Sequence, residues 1–240
     1  MTAYTPQRIL AIGAHPDDVE IACAGTLARC LERGDAVSLV VMCNGNSAST
    51  SLSGEELAAV RSRELEDAAQ VLGAESLIEL GLPDFGVWLQ REILLKLTDA
   101  IRQVRPDVVI THFDADYGSD HNHTLKLVQD ATLAASVPGV KTEHAAIPKI
   151  PYLHMMEPVG GYGFQPQVYV DITSTFKIKI EMLECHRSQM EWMSRYGGMD
   201  TREYIETVAR FRGYQAGVKY SEGFIAHGSW GHVPPRNILP

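Results

Sequence analysis

The sequence predicts an α/β protein with a mostly parallel central sheet flanked by helices. Short apolar runs rich in β-branched residues alternate with longer amphipathic stretches over the first half of the chain. The order is strand, helix, strand, helix, strand, helix, strand, which is typical of parallel sheets with right-handed crossovers. Two of the apolar runs lead directly into clusters of histidine and aspartate, which indicates a site at the carboxyl edge of the sheet.

The predicted strands are the apolar runs. Residues 36–43 form a continuous run of the kind found in strands buried on both faces, and residues 108–111 form a shorter one. The full set of predicted strands is 8–14, 36–43, 76–80, 108–111, a short strand within 148–155, and 168–172. With helices on both sides, these strands predict a Rossmann-like three-layer sandwich.

Helices are predicted where apolar residues recur with helical spacing. In residues 55–72, for example, Leu57 and Leu65 lie on one stripe and Gly73 follows as a stop signal. The full set of predicted helices is 21–33, 55–72, 88–104, 124–136, 176–187 and 201–213.

Length and composition favour one globular domain over residues 1–240. The chain is 45% hydrophobic and 21% charged, which are ordinary values for a domain with a well-buried core. We expect an irregular tail from about residue 225, containing His227, Trp230 and His232, that either folds over the surface or meets a neighbouring subunit. The formal charge of −9 shows no excess of basic residues of the kind that binds nucleic acid, so we expect a small-molecule partner.

The four cysteines indicate a reducing compartment. They are scattered without a C-x-x-C pair, which is typical of reduced thiols and not of disulfides or a zinc knuckle. No basic segment followed by a long apolar run opens the chain, and no stretch approaches the length of a membrane span. We therefore expect a cytoplasmic protein.

The first polar cluster is His15-Pro16-Asp17-Asp18, directly after the first predicted strand. A single histidine there is usually structural and an aspartate usually caps a helix, but four such residues in a row favour a site. Adjacent residues in a turn point in different directions. One carboxylate can therefore bind a metal beside His15 while the other acts as a base.

The second cluster spans residues 112–123, after the fourth predicted strand. His15 and Asp18 with His121 would make a site of two histidines and one carboxylate, which leaves metal positions open for water and substrate. Asp120 either caps the following helix or orients a histidine from outside the ligand set. His123 is a ligand, an acid or an exposed residue, and we expect His112 to pack at the strand end.

The start of the helix over residues 55–72 carries Arg61, Arg63 and Glu64. Judged by residue type and spacing alone, these three favour a solvated face with ion pairs along the helix.

Several of these motifs resemble one family. Ala14 to Asp18 reads A-H-P-D-D, which resembles the signature of the PIG-L, or LmbE-like, family of metal-dependent de-N-acetylases. The resemblance continues through Arg61 and Glu64 on their helix and through Asp120-His121. It extends to Ser188-Gln189 and to residues 220–224, so that it covers most of the chain.

The resemblance implies roles for individual residues. His15, Asp18 and His121 would bind zinc, or another divalent metal such as Fe²⁺. Asp17 would be the general base, and Arg61 would contact the substrate or the acetate. Because members of the family often assemble, the resemblance also implies a homo-oligomer.

One position departs from the family. Members usually carry H-P-D-H at the second cluster, whereas this chain has Gly118-Ser119-Asp120-His121, so that a catalytic histidine is replaced by glycine. Either Tyr117, His123 or a histidine from elsewhere, such as His154 or His227, takes its place, or the reaction differs. The Tyr117 hydroxyl is also a candidate for stabilising an oxyanion.

The expected function is hydrolysis of an N-acetyl or other N-acyl group on an amino sugar or related small molecule. A first alternative is a metal-dependent hydratase or lyase on the same scaffold. Because two histidines and a carboxylate also describe a non-haem iron centre, an oxygen-using iron enzyme is a second alternative. A non-catalytic binding protein is a third.

Overall fold

The computed structural model of the protein describes residues 4–229, 232–235 and 238–240. These residues form seven strands: β1 (Arg8–Gly13), β2 (Ala36–Cys43), β3 (Ser76–Leu82), β4 (Val108–Thr111), β5 (Tyr152–Met156), β6 (Val168–Asp171) and β7 (Ser221–His227). Eight helices are present in the described residues: α1 (Asp18–Ala22), α2 (Ala24–Glu32), α3 (Gly54–Leu72), α4 (Arg91–Val104), α5 (Ser119–Ala135), α6 (Phe176–Cys185), α7 (Arg187–Gly197) and α8 (Thr201–Ala216).

The strands form one mixed sheet in the order β3-β2-β1-β4-β5-β7-β6. The first five strands of that order pair in parallel, whereas β7 pairs antiparallel with both β5 and β6. The expected mostly parallel sheet is therefore confirmed; β6 was predicted as a strand, whereas β7, which runs antiparallel to both of its neighbours, was not. After β3 the chain returns to the other side of β1, so the topological switch point lies between β1 and β4.

Helices cover both faces of the sheet, and β1 shows why. Ile9 and Ala11 are buried in one cluster with residues of α2, α3, α6 and α8, whereas Leu10 and Ile12 are buried in a second cluster with residues of α4 and α5. Alternate residues of a strand point to opposite faces, so a continuous apolar run requires cover on both. In the part of the chain that is described, no helix has the length and apolar composition needed to cross a bilayer.

The polar regions are where the elements differ from the prediction. Helix α5 begins at Ser119, five residues before the predicted start, so Asp120 and His121 lie in its first turn. The predicted helix 176–187 is two helices, separated at His186. Strand β7 runs to His227, so residues 225–227 are ordered sheet and not tail. Trp230, which we assigned to the tail, lies outside the described residues.

His154 gives the folded chain a specific sensitivity to acid. It lies in the middle of β5, opposite Ile110 of β4, and is only 1% exposed. Burial lowers its pKa from 6.5 to about 4, because the charged imidazolium loses its hydration. The unfolded chain therefore takes up a proton near pH 6.5 that the folded chain does not accept until about pH 4. Stability from neutral His154 is present above pH 6.5 and is lost as the pH falls towards 4.

Replacing His154 by phenylalanine should flatten this dependence. We expect the wild type to lose on the order of 3 kcal/mol more than His154→Phe between pH 6.5 and 4, from the size of the pKa shift. The measurement is the free energy of unfolding by denaturant at each pH for both proteins. Curves that stay parallel throughout this range would show that His154 is not the titrating group.

Candidate active site

The two polar clusters meet at the carboxyl edge of the sheet. His15 follows β1, and the first turn of α5 follows β4 after a short loop. Because β1 and β4 are paired in parallel across the switch point, both segments leave the sheet at the same edge. The loops after these parallel strands thereby bring into contact residues that are more than 100 positions apart in the sequence.

Three side chains converge there, and they are the three predicted metal ligands. The Nδ1 atom of His15 lies 3.2 Å from Nε2 of His121. One oxygen of Asp18 lies 3.6 Å from that His15 nitrogen, and its other oxygen lies 3.4 Å from the His121 nitrogen. A group of two imidazole nitrogens and one carboxylate is a donor set that suits a divalent metal.

A second pair of carboxylates orients the two histidines. Asp120 Oδ2 lies 3.1 Å from His15 Nε2, and Asp116 Oδ2 lies 2.9 Å from His121 Nδ1. A carboxylate beside one ring nitrogen favours the proton on that nitrogen and leaves the other nitrogen with a free lone pair. Both lone pairs then face the space beside Asp18, so the residues present fit a bound cation.

Both orienting carboxylates are held ionised. Burial raises the pKa of Asp116, but hydrogen bonds from His112 and His121 outweigh it and lower the pKa to about 2. For Asp120 burial also raises the pKa, and the net shift is downward because of His15 and two backbone donors. Those donors are the N–H groups of Phe85, at 2.6 Å, and Val87, at 3.2 Å. Asp120 thus holds the β3–α4 loop as well as His15.

Asp116 is the site residue that the sequence analysis missed. It lies in the loop between β4 and α5 and is followed by Tyr117, whose backbone N–H it accepts at 2.7 Å. The only signal was its place in a cluster dense in possible ligands. Nothing in the sequence distinguishes it from Asp114, which is exposed two residues earlier.

His112 contacts the site and is not merely packed at the strand end. It is buried, as expected, but its Nε2 accepts the N–H of Ala14 at 2.9 Å and lies 3.2 Å from Asp18 Oδ2. Its ring also stacks on His121, with centroids 4.2 Å apart. His112 therefore supports both the ligand loop after β1 and the ligand helix α5.

Asp17 occupies an unusual backbone conformation beside the metal-binding group. Its φ is 123°, which non-glycine residues rarely adopt. Such strain costs of order 1–3 kcal/mol and is typical of functional positions. Burial raises the pKa of Asp17 to about 6, even though the nearby Arg61 lowers it. The carboxylate is held 3.1 Å from an Arg61 nitrogen.

Arg61 is buried, which corrects the solvated face expected from residue type. Only 2% of it is exposed, and its guanidinium donates to Asp17 and to the carbonyl of Pro16. Gly45 makes room for it, because a Cβ there would lie 2.6 Å from Arg61 Cδ. Glu64 is also engaged, since it accepts from the backbone and hydroxyl of Ser188, whereas Arg63 is exposed as expected.

Tyr117 contacts the His121 ring, whereas His123 contacts the β3–α4 loop. Tyr117 is 76% exposed, and its ring centroid lies 5.0 Å from that of His121, edge to face. His123 donates from Nδ1 to the carbonyl of Val87 at 2.6 Å and lies beside Trp88. Tyr117 thus borders the site on its open side, and His123 braces the β3–α4 loop.

The two remaining candidate histidines lie away from the ligands. His154 is in the middle of its strand, and His227 pairs with Leu153 near the amino end of β5, opposite to the edge that carries the site. At Gly118 a Cβ would meet only the His121 ring, at an ordinary 3.7 Å. The position therefore has room for a side chain that this sequence lacks.

The comparisons with known proteins identify the family. The family GlcNAc-PI de-N-acetylase, PIG-L, matches residues 10–132, slightly more than half of the chain. The chain belongs to the PIG-L family, and membership confirms the expected class of enzyme, a deacetylase that hydrolyses N-acetyl groups.

Three curated relatives cover most of this chain. Diacetylchitobiose deacetylase of Thermococcus kodakarensis is 27% identical over 95% of this chain and 86% of its own length. The uncharacterized deacetylase YaiS of Escherichia coli is 34% identical over 75% of this chain and 90% of its own. The 4-oxalmesaconate hydratase of Pseudomonas putida is 30% identical over 88% of this chain and 82% of its own.

A solved structure extends the likeness to the fold. N,N'-diacetylchitobiose deacetylase from Pyrococcus horikoshii superposes with a TM-score of 0.80 and 28% sequence identity, covering 92% of this chain and 84% of that one. The mixed sheet flanked by helices is thus the fold of this deacetylase as well.

Removing the charge of Asp116 should weaken metal binding without removing a ligand. In Asp116→Asn the amide cannot hold the His121 proton as a carboxylate does, and we expect zinc affinity to fall roughly 10- to 100-fold. The measurement is the zinc dissociation constant by competition with a chelating dye. Asp114→Asn, on the same loop but exposed, is the matched control and should bind zinc as the wild type does. Equal affinities in the two variants would rule out the orienting role.

Proposed function

We propose that this protein is a zinc-dependent hydrolase that removes the N-acetyl group from an amino sugar or a related small molecule. The observation that carries the proposal is the convergence of His15 Nδ1, His121 Nε2 and the Asp18 carboxylate, with the buried Asp17 next to Asp18 in the chain. The deacetylase relatives support the reaction and the class of substrate.

His15, Asp18 and His121 would hold the metal. Three protein ligands leave positions open for water and substrate, which is the arrangement of catalytic zinc sites. When bound, the metal supplies a water of lowered pKa and polarises the acyl oxygen. The donor set also accepts Fe²⁺, so the identity of the native metal is part of the proposal.

Asp17 would move the proton. In hydrolysis a water oxygen forms a bond to the acyl carbon, the carbon–nitrogen bond breaks, and acetate and a free amine result. Asp17 would accept the proton from the water and pass it to the departing nitrogen, which is commonly worth about 10²- to 10⁴-fold in rate. Arg61 holds that carboxylate in place and, through its cation, is suited to contact the substrate or acetate.

Neighbouring groups would take the role of the family histidine that Gly118 replaces. The exposed Tyr117 ring borders the ligands, so its hydroxyl is suited to stabilise the oxyanion. His123 has its Nδ1 committed to Val87, which leaves Nε2 as the atom for an acid role. Asp120 would act through His15, because its carboxylate lies against the far nitrogen of that ring.

A hydratase is the second candidate. The observation in its favour is Gly118, which removes a group that the family uses in amide hydrolysis, and a hydratase is among the relatives. The same metal and base would then add water to a double bond, and no acetate would be released. An iron oxygenase and a binding protein without catalysis are the two further alternatives, and the measurement of metal and product tests both.

The proposal also covers the compartment, the oligomeric state and the domain organisation of the enzyme. Cys23, Cys30, Cys43 and Cys185 are free thiols, which suits a reducing compartment such as the cytoplasm. Exposed apolar side chains on the β3–α4 loop, Phe85, Trp88 and Leu89, suit a contact between copies in a homo-oligomer. We propose one catalytic domain over residues 1–240.

The experiment that tests the function measures metal and product together. Protein purified without added metal should contain about one zinc per chain by elemental analysis and should release acetate from N-acetyl sugars. Acetate-free hydration of an unsaturated acid would select the hydratase. Iron with oxygen consumption would select the iron enzyme, and absence of metal would select the binding protein.

The variant Asp17→Asn should keep the metal and lose turnover. The amide preserves the shape of Asp17 but cannot accept a proton, so we expect kcat to fall at least 10²-fold with zinc content unchanged. Ser62→Asn, one residue beyond Arg61 on α3, is a control that changes a residue outside the site. Full activity of Asp17→Asn would exclude Asp17 as the base.

A further inference from the structure

Glu20 and His186 form a fully buried pair that the proposed reaction does not use. Glu20 lies on α1, and His186 lies at the break between α6 and α7. The His186 Nε2 atom lies 3.3 Å from Glu20 Oε1, and both residues are 0% exposed. In the described part of the chain, neither side chain forms a hydrogen bond to any other residue. Each side chain therefore has the other as its polar partner.

The contact between these two side chains is an ion pair. Burial lowers the pKa of His186, but the charge of Glu20 and the contact with its carboxylate outweigh burial, so that the net shift is upward. A protonated imidazole therefore faces the Glu20 carboxylate. Removing both charges from water is costly, and further hydrogen bonds are needed to offset that cost. Because the described residues supply none, the pair contributes little to stability, which indicates another role.

Helix α1 depends on other elements for its position. It has five residues, fewer than the roughly 12–15 that an isolated helix needs, and Asp17 before it provides no side-chain cap. The Nζ atom of Lys179, on α6, donates to the carbonyl of Ile21 at 2.8 Å. At the end of the same helix, His186 holds the Glu20 side chain. Two polar contacts with α6 therefore help to set where α1 lies.

The start of α1 carries both carboxylates of the first polar cluster. Asp18 is the first residue of the helix, and Asp17 precedes it. The N–H of Ile21 donates to the carbonyl of Asp17 at 2.9 Å, which ties Asp17 to the helix. Burial raises the pKa of Asp17, and among the charges that oppose this rise Arg61 is the strongest and His186 is the next. The charge of His186 thus acts on Asp17, and a rotation of α1 would move both carboxylates.

We propose that Glu20 and His186 are positioning residues, whose contact fixes the orientation of Asp17 and Asp18 at the start of α1. The inference rests on the proposed function, because it assigns the pair to the metal ligand Asp18 and the base Asp17. Apolar side chains would fill the same space without the cost of burying two charges. A polar contact differs from apolar packing in being directional, so the pair fixes the rotation of α1.

Two amides that differ in reach test the pair. The contact atom of the imidazole is Nε2. A glutamine amide nitrogen reaches about the position of Nε2, whereas an asparagine amide ends near Nδ1. In His186→Asn we expect the zinc dissociation constant to rise roughly tenfold, and kcat for acetate release to fall about 10²-fold at unchanged KM, because the carboxylates lose their orientation. His186→Gln should stay close to the wild type, and equal behaviour of the two variants would overturn the proposal.

A double variant separates positioning from stability. Glu20→Met combined with His186→Phe replaces the ion pair by apolar side chains of similar size, a change that is often neutral or stabilising. We expect this protein to unfold at a denaturant concentration no lower than that of the wild type, and still to show the losses of zinc affinity and kcat. Wild-type zinc affinity and turnover in the double variant would reduce the pair to a packing role and would contradict the proposal.

Hydrogen exchange reports on the position of α1 without turnover. The amide of Ile21 is protected by its bond to the Asp17 carbonyl. In the protein as purified, this amide should exchange roughly tenfold faster in His186→Asn, which corresponds to the loss of one charged hydrogen bond. His144→Asn is the matched control, since His144 also faces a carboxylate, that of Asp99. It should leave the exchange of Ile21, zinc binding and kcat unchanged.

These measurements keep the positioning pair distinct from the catalytic proposal. If no N-acetyl sugar releases acetate, but His186→Asn exchanges faster at Ile21 and binds zinc more weakly than His186→Gln, the positioning pair stands and the deacetylase proposal fails. If acetate is released and His186→Asn matches the wild type in exchange, zinc affinity and kcat, the deacetylase proposal stands and the positioning pair is wrong.

Discussion

Two contacts between a carboxylate and a histidine determine what the carboxyl edge of this sheet can hold. Asp120 lies against the far nitrogen of His15, and Asp116 lies against the far nitrogen of His121. Each contact sets which ring nitrogen carries the proton, so both free lone pairs face the Asp18 carboxylate. Without these contacts the rings could turn, and the three donors would not form one site. The pairing of β1 with β4 brings the two segments together and is therefore the topological basis of the chemistry.

The same edge carries the main backbone strain of the site. Asp17 is held at a positive φ, and its buried carboxylate is fixed by Arg61, which in turn occupies the space that Gly45 leaves open. Local strain of this kind persists only where the surrounding structure compensates for it. The compensation here is the buried ion pair between Asp17 and Arg61 of α3, which fixes the carboxylate next to Asp18 in the chain. This connects the conformation of one residue to the proposed transfer of a proton.

The sequence predicted the buried elements well and the polar ones poorly, for physical reasons. Strands β2 and β4 were predicted at their observed bounds because continuous apolar runs are specific to strands covered on both faces. Helix α7 was missed as a separate element because none of its residues is buried, so the sequence shows no clear core-facing run there. The predicted start of α5 is too late because the polar residues of its first turn interrupt the apolar spacing that indicates a helix. His15, Asp18 and His121 were predicted to act together, whereas Asp116 and the burial of Arg61 depend on tertiary contacts that spacing does not encode.

The central claim is that His15, Asp18 and His121 bind the metal, and a competing donor set makes it testable. Cys43 and Asp120 also lie close to His15 and would bind a metal through sulfur. X-ray absorption spectroscopy of the zinc-loaded protein distinguishes the two directly. Our account predicts only nitrogen and oxygen neighbours at about 2.0–2.2 Å, with an imidazole contribution that decreases in His15→Ala, since His15 is absent from the further donor set of His112, Asp116 and His121. A zinc–sulfur distance of about 2.3 Å would contradict it and move the metal to the Cys43 side of His15.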